Sequence, residues 1–393
     1  MFDETLLDDP EALTRADPRG LLRDAAGAGA RVRTAARLAA EAGITELHPD
    51  GRPRTVLIAG PGTAATATAD LLGTLAGGAC PVVPLGPTGV AAAAGALRWT
   101  LPGWAGPVDL LLIATPDGGE PGLALLAEQA YRRGCTVVAV APDRTPVSEA
   151  VQGAHGLAVP MATAPGELPE EEPVEAYANG TTAASGALWA LLTPLLLLLG
   201  RTGLVDADTD AVHDLADRLD TTAERCGPAV AAYSNRAKTL AAELAESLPL
   251  VWTEGPGAGP IGRRFTALLA EVAGHPALTA ALPEALPAHG ALLVSGIADA
   301  SDPDDFFRDR VDEPEPLRAR VVLLRDRPPG GLTAAPAARE LALAHNTALS
   351  ELEPGEGSDL AATAELIATT DFAAVYLALA TTPRLMTGHR TRR

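Results

Sequence analysis

Two kinds of apolar run alternate along this chain. Thr55–Ile58, a run ending Val82-Val83-Pro84-Leu85-Gly86, Val108–Ile113 and a run closing at Ala141 are short and apolar, as strands buried on both faces are. Between them apolar positions recur at helical spacing, in the stretch through Asp70-Leu71-Leu72 and in the one reaching Arg133. Residues Arg54–Ala141 therefore read as strand, glycine loop, helix, strand, helix, strand, loop, helix, strand, an alternation that implies a parallel sheet. A second alternating block has strands at Leu248–Thr253, Ala291–Ser295, Ala319–Leu324 and near Leu349–Leu352. Its helices are Gly262–Val272, Ala335–His345, Asp359–Ala368 and Phe372–Ala380.

The remaining segments place these blocks. An N-terminal helical segment (1–52) carries a helix over Leu21–Ala42 that is expected to pack across a domain or a partner subunit. The first α/β domain (53–205) ends in a long helix, Thr182–Leu199, after the Pro- and Glu-rich loop Thr163–Asn179. A helical connector (206–246) leads to the second domain (247–382), in which acidic loops at Asp299–Asp305 and Asp312–Glu315 separate the elements. The tail (383–393) is basic and solvated. The fold class is α/β, with two copies of one topology in tandem, each a mostly parallel sheet flanked by helices.

Two loops fall at strand ends, where open α/β sheets bind ligands and helix N-termini present free amides to anions. The first is Ala59-Gly60-Pro61-Gly62-Thr63-Ala64-Ala65-Thr66 and the second Thr115-Pro116-Asp117-Gly118-Gly119-Glu120. The first fits a dinucleotide fingerprint, but the next strand ends Val82-Val83-Pro84-Leu85-Gly86 without the acidic residue a ribose needs. A plain tight turn and a sugar-phosphate cradle built on Thr63 or Thr66 both remain open.

Composition narrows the class. The chain is 47% hydrophobic and only 3% aromatic, so Ala, Leu and Val must fill a sizeable core. No unbroken apolar run approaches the ~20 residues of a membrane span, and the acidic start Phe2-Asp3-Glu4 is unlike a secretory signal. A net charge of −20 argues against nucleic acid and anionic membranes, so a phosphate ligand would depend on local amides and hydroxyls. Cys80, Cys135 and Cys226 lack metal spacing and even pairing, and read as small reduced core residues in a cytoplasm. The seven histidines are scattered, so no metal or other cofactor is expected. Among 30 basic residues Lys238 is the single lysine; it reads as a structural side chain lying over Leu240 and Leu244.

Four stretches, in order, resemble the two-domain sugar isomerase (SIS) family, in particular its bifunctional phosphoglucose/phosphomannose isomerase branch. Gly186-Ala187-Leu188-Trp189-Ala190-Leu191-Leu192-Thr193-Pro194-Leu195-Leu196 is similar to the family's helix ending in Pro-Leu-Leu. Asn235-Arg236-Ala237-Lys238 resembles its Asn-Pro-Ala-Lys, and Arg264-Phe265 followed by Glu271 and Pro276-Ala277 resembles its Arg-Trp, Glu and Pro-Ala series. Tyr376-Leu377-Ala378-Leu379 is similar to its last helix. The resemblance spans about Arg54–Thr382.

The resemblance implies an aldose–ketose isomerase acting on glucose, fructose and mannose 6-phosphates through an enediol. Glu271 aligns with the proton-transfer base and His289 lies near the ring-opening histidine; His275 could substitute for it. Substrate binding falls to Gly62, Thr63, Thr66, Thr115, Gly118, Gly119 and Arg264, where Arg263 or Arg264 replaces a family cation lost at Ser185. The family's Ser-x-Ser-Gly-Asn-Thr loop falls on Thr115–Glu120, where Asp117 and Glu120 replace two hydroxyls, and its C-terminal lysine has no match, only Arg384 and Arg390. The alternative is a catalytically degenerate SIS protein that senses or binds a sugar phosphate. Amino-sugar synthesis from glutamine lacks its cysteine, since residue 2 is Phe2. The expected partners are a sugar phosphate and a second copy in a homodimer.

Overall fold

The computed structural model describes residues 2–88, 97–162, 185–294, 318–327 and 332–381. Three N-terminal helices come first: α1 (Pro10–Ala16), α2 (Leu21–Ala26) and α3 (Ala28–Glu41). The expected single helix over 21–42 is thus two, parted at Gly27, whose amide closes α2 on Arg23 O. The first domain follows as β1 (Thr55–Ala59), α4 (Gly62–Leu75), β2 (Val82–Leu85), β3 (Asp109–Ala114), α5 (Pro121–Arg132), β4 (Thr136–Ala141), α6 (Pro146–Gly153) and β5 (Leu157–Pro160). All five strands are parallel, in the order β2-β1-β3-β4-β5. Every residue of β1 and β3 is buried, as expected for central strands covered on both faces.

Helices α7 (Ser185–Arg201), α8 (Thr209–Cys226) and α9 (Arg236–Leu244) lead to the second domain. It comprises β6 (Ser247–Glu254), α10 (Ala258–Ala273), β7 (Leu278–Ala281), α11 (Ala285–Leu292), β8 (Arg318–Arg325), α12 (Ala335–Ala344), β9 (Ala348–Leu352) and α13 (Asp359–Ala380). Its four strands are parallel in the order β7-β6-β8-β9. Two parallel sheets in tandem, flanked by helices, are therefore the architecture.

Four further elements differ from the sequence reading. Between β2 and β3 a helix was expected; residues 97–108 form none, and 89–96 lie outside the described residues. Of Ala291–Ser295, expected as a strand, Ala291 and Leu292 instead end α11 and the chain continues helically through Val294, because an apolar run this short fits either period; Ser295 lies outside the described residues. The strand beside β6 is β7, short and half-exposed at the sheet edge. The two C-terminal helices are one, α13, since Thr369 and Thr370 bond back to Glu365 O and Leu366 O and keep the polar trio helical. By length and composition α13 could cross a bilayer, and 94% of its apolar window lies inside the protein. The expected loops at Thr163–Asn179, Asp299–Asp305 and Asp312–Glu315 and the basic tail lie outside the described residues.

One apolar cluster runs continuously from the inner face of the first sheet to that of the second. It joins Val56, Ile58 and Leu112 to Val251, Val322 and Leu324 through side chains of α3, α4, α7, α8, α10 and α13. Smaller clusters cover the outer faces under α5 and α6, and under α11 and α12. At the N-terminus Asp3 donates its amide to Ala380 O and ties the chain start to the end of α13.

Candidate functional site

In each sheet the strand order reverses at one place, between β1 and β3 and between β6 and β8. Such switch points open a crevice at the carboxyl ends of the strands. The first crevice is bounded by loops 60–62 and 115–120. Their backbones meet: a Cβ at Gly60 would lie 1.9 Å from Ala114 O, so only glycine fits. The first loop then enters α4 at Gly62, which is exposed and has φ +80. Pro61 supplies no side-chain cap, so the amides at the head of α4 are not covered by a capping side chain.

Beside that head the two domains touch through polar groups. The Thr63 hydroxyl donates to Glu271 Oε1. Two turns along the same seam, Arg263 Nε donates to Asp70 Oδ2 at 2.7 Å. Thr63 opposite Glu271 and Asp70 opposite Arg263 fix α4 and α10 as antiparallel neighbours. Glu271 stands exposed in the last turn of α10. Thr66, one turn into α4, is also exposed and bonds back to Gly62 O at 3.1 Å.

The second loop is closed on itself. Thr115 has no exposed surface, and its hydroxyl accepts from the Gly118 amide (2.9 Å) and the Asp117 amide (3.3 Å). The same hydroxyl donates to the Glu120 carboxylate at 2.9 Å, using its one proton. Glu120 is 3% exposed. Burial pushes its carboxyl above the usual range, against a smaller stabilisation of its charge by backbone and Thr115 contacts. Gly118 takes φ +73 and packs on Thr145, where a Cβ would come within 2.4 Å of Oγ1. Gly119 and Asp117 are exposed at the loop tip.

The second crevice repeats the first in sequence and fills it differently. Gly255-Pro256-Gly257 after β6 repeats Gly60-Pro61-Gly62 after β1, a signal that sequence reading missed. The Gly257 amide donates to Asp326 Oδ2 at 3.1 Å. At the start of α12 the Glu254 carboxylate accepts from the Thr333 hydroxyl (2.7 Å), the Ala334 amide and Arg325 Nε (3.0 Å). Burial opposes its charge, but Thr333, Ala334 and Arg325 together hold the Glu254 pKa below the usual carboxylate range.

The remaining expected residues lie elsewhere. His289 is buried on the outer face of the second sheet, where its Nδ1 accepts from Trp252 Nε1 at 2.9 Å. Trp252 belongs to the cluster under α11 and α12, whereas α10 packs on the other face, so His289 and Glu271 are not brought together within one chain. Burial depresses the His289 pKa. Arg264 is sealed between α10 and α13, where Nη2 meets Asp371 Oδ2 at 2.8 Å with both side chains 2% exposed. His275 holds Ser247 O at 2.9 Å. Lys238 does not lie over Leu240 and Leu244 as a snorkelling side chain. It is fully buried, donates to Pro228 O and Val230 O at 2.7 Å each, and stands 5.5 Å above the Tyr376 ring. It clamps the α8–α9 connection onto α13. Ser185 has no described side chain, and Arg384 and Arg390 lie outside the described residues.

Among the described residues no group of three His, Cys, Asp or Glu side chains could hold a metal ion. Clefts of about 310 and 370 Å³ lie between α8 and the head of α13 and between α5 and α6.

Residues 233–382 match the family model of the bacterial phospho-glucose isomerase C-terminal SIS domain. The second domain is thus similar to a SIS domain. Nine-tenths or more of the chain superposes on several solved structures at low identity, which speaks for the fold. One is a phosphosugar isomerase candidate from Silicibacter pomeroyi DSS-3 (14% identity, 90% of this chain and 95% of that one, TM-score 0.55). Another is the tagatose-6-phosphate ketose/aldose isomerase of Escherichia coli (13%, 94% and 93%, TM-score 0.51). A third is the C-terminal domain of the glucosamine-fructose-6-phosphate aminotransferase of Francisella tularensis (13%, 92% and 95%, TM-score 0.51). No curated protein matches the sequence.

Proposed function

We propose that this protein interconverts an aldose and a ketose 6-phosphate of the glucose, fructose and mannose series, in the manner of the bifunctional branch. The observation that carries the proposal is the contact between Thr63 and Glu271 beside the open head of α4. An anion docked on the amides at Gly62 and Thr63 holds the sugar against α10, with Thr66 exposed one turn away. Glu271, exposed at the end of α10, takes the proton from C1 of the open-chain ketose and returns it to C2 of the enediol. Thr63, which donates to that carboxylate, orients it and is freed when the sugar enters.

Ring opening requires an acid that this pair does not supply. His289, buried and bonded to Trp252, stays in the core, so the proposal draws the acid from a second copy of the chain in a homodimer. A cytoplasmic location also belongs to it. A second reading, a degenerate SIS protein that binds without turnover, is favoured by the closed loop at Glu120 and by the core placement of His289.

The test is a ³¹P NMR time course of fructose 6-phosphate with near-stoichiometric protein. New glucose or mannose 6-phosphate signals that vanish in Glu271→Gln support the isomerase. Unchanged signals with line broadening support the binder.

A further inference from the structure

The two switch-point crevices share a feature that neither the fold nor the proposed reaction requires. Each contains a carboxylate of the chain itself seated where an external anion would sit. In the second crevice Asp326 occupies the Gly257 amide at the head of α10, and Glu254 occupies the Ala334 amide at the head of α12. In the first, the amides of Asp117 and Gly118 converge on Thr115 Oγ1, and Glu120 takes the only hydroxyl proton. Convergent amides after a strand, in a loop turned by a left-handed glycine, form an anion-binding concavity.

A hydroxyl has one proton to donate and two lone pairs to accept with. Thr115 has used all three, so it offers nothing to a ligand oxygen. Glu120 cannot be displaced cheaply, because it is 97% buried (3% exposed) and Thr115 is its hydrogen-bond partner. A phosphate dianion arriving at this loop would meet no free hydroxyl and a resident negative group. At the neighbouring loop no side chain among the described residues caps the head of α4, whose end is bounded by Pro61 and the exposed Gly62.

We infer that Glu120 is a specificity-determining residue that seals the loop Thr115–Glu120 against phosphate, so that the anionic group of the ligand is confined to the head of α4. The loop is an anion seat already filled from within. The ligand this arrangement accepts is a sugar carrying a single phosphate at one end, with uncharged hydroxyls facing the sealed loop. A sugar with a second phosphate directed at that loop is rejected. The inference rests on the reading of the crevice as the sugar site, and it deepens that reading by naming what the second loop excludes.

The experiment is ¹H–¹⁵N NMR of the full chain titrated with inorganic phosphate and, separately, with fructose 6-phosphate. In the wild type the Gly118 and Gly119 amides stay in place with both probes, while the Gly62 and Thr63 amides move with fructose 6-phosphate. Glu120→Thr removes the occupant and adds a hydroxyl; phosphate then shifts Gly118 and Gly119, with at least tenfold tighter binding. Glu120→Gln, which keeps the shape and therefore the fold, removes only the charge and gives a smaller gain. Shifts of Gly118 and Gly119 in the wild type overturn the inference, and so does failure of both variants to gain phosphate binding. The proposed function fails separately: if fructose 6-phosphate leaves Gly62 and Thr63 unmoved, the crevice is not the sugar site, yet the gain in Glu120→Thr still upholds the seal.

Discussion

Replacing Arg264 with methionine tests the assignment of that residue to the core. Arg264 and Asp371 are each 2% exposed, joined at 2.8 Å in the helical layer between the sheets. Removing one partner of such a pair costs about 3–5 kcal/mol, since the other charge stays desolvated. Unfolding entropy of about 2.1 cal/mol/K per residue, over 393 residues, gives about 0.8 kcal/mol/K, so Tm should fall by about 4–6 °C. Arg264 is itself poorly satisfied: its Nε and Nη1 have no hydrogen-bond partner among the described residues. Replacing both charges, Arg264→Met with Asp371→Leu, should therefore recover the loss or exceed the wild type by about 1–4 kcal/mol. Thermal denaturation of the wild type, the two single variants and the double variant reads this cycle. A single variant within 1 °C of the wild type, or a double variant no better than the singles, would refute the reasoning. Sugar-phosphate affinity should be unchanged in the double variant; its loss would return Arg264 to the ligand.

Lys238→Met should destabilise by about 2–4 kcal/mol, because two ammonium-to-carbonyl bonds are lost and only part of that is offset by relief of desolvation; a neutral result in urea denaturation would show that the clamp contributes nothing. Gly60→Ala should prevent stable folding or cost more than about 3 kcal/mol, since the new methyl would sit 1.9 Å from Ala114 O; a soluble variant with unchanged Tm would contradict the close approach. Burial lowers the folded-state pKa of both His275 and His289, so the unfolded chain takes up protons first. Their contribution to stability is complete above about pH 6.5 and is lost as pH falls below it. The urea midpoint should drop between pH 7.5 and 5.5, less steeply in His289→Gln, and an equal slope in that variant would exclude His289 as a source. Thr63→Val should reduce turnover more than it reduces stability, because the hydroxyl meets Glu271 at the exposed seam; unchanged kcat would remove Thr63 from the site.

The alternation of strand and helix was legible because parallel central strands such as β1 and β3 are buried throughout and leave an unbroken apolar trace. Where the trace was short it misled. Ala291–Ser295 looks like a strand in isolation, and only packing under the second sheet makes Ala291 and Leu292 the end of α11. The trio Thr369-Thr370-Asp371 looked like a break in α13, yet the two threonines bond within the helix and Asp371 answers Arg264. The site was legible in part. The glycine loops mark where the chain turns at strand ends, but Thr63 and Glu271 lie 208 residues apart and meet only through the packing of α4 on α10. Nothing local in Glu120 signals that its carboxyl turns inward to Thr115 rather than outward to solvent. Lys238 was noticed for its rarity, and its burial over Tyr376 depends on a helix 138 residues further on (376 − 238). The repeat Gly255-Pro256-Gly257 was the one readable clue that the second sheet carries a crevice of its own.

The central claim is that Glu271 moves a proton between C1 and C2 of a sugar phosphate held at the α4–α10 seam. Incubating fructose 6-phosphate with the protein in D₂O and following the C1 protons by ¹H NMR tests it even where net isomerisation is slow. The account predicts steady loss of one C1 proton signal through exchange of the enediol, abolished in Glu271→Gln while the substrate still shifts the Gly62 amide. Retention of both C1 protons in the wild type, or exchange that persists in Glu271→Gln, would contradict it.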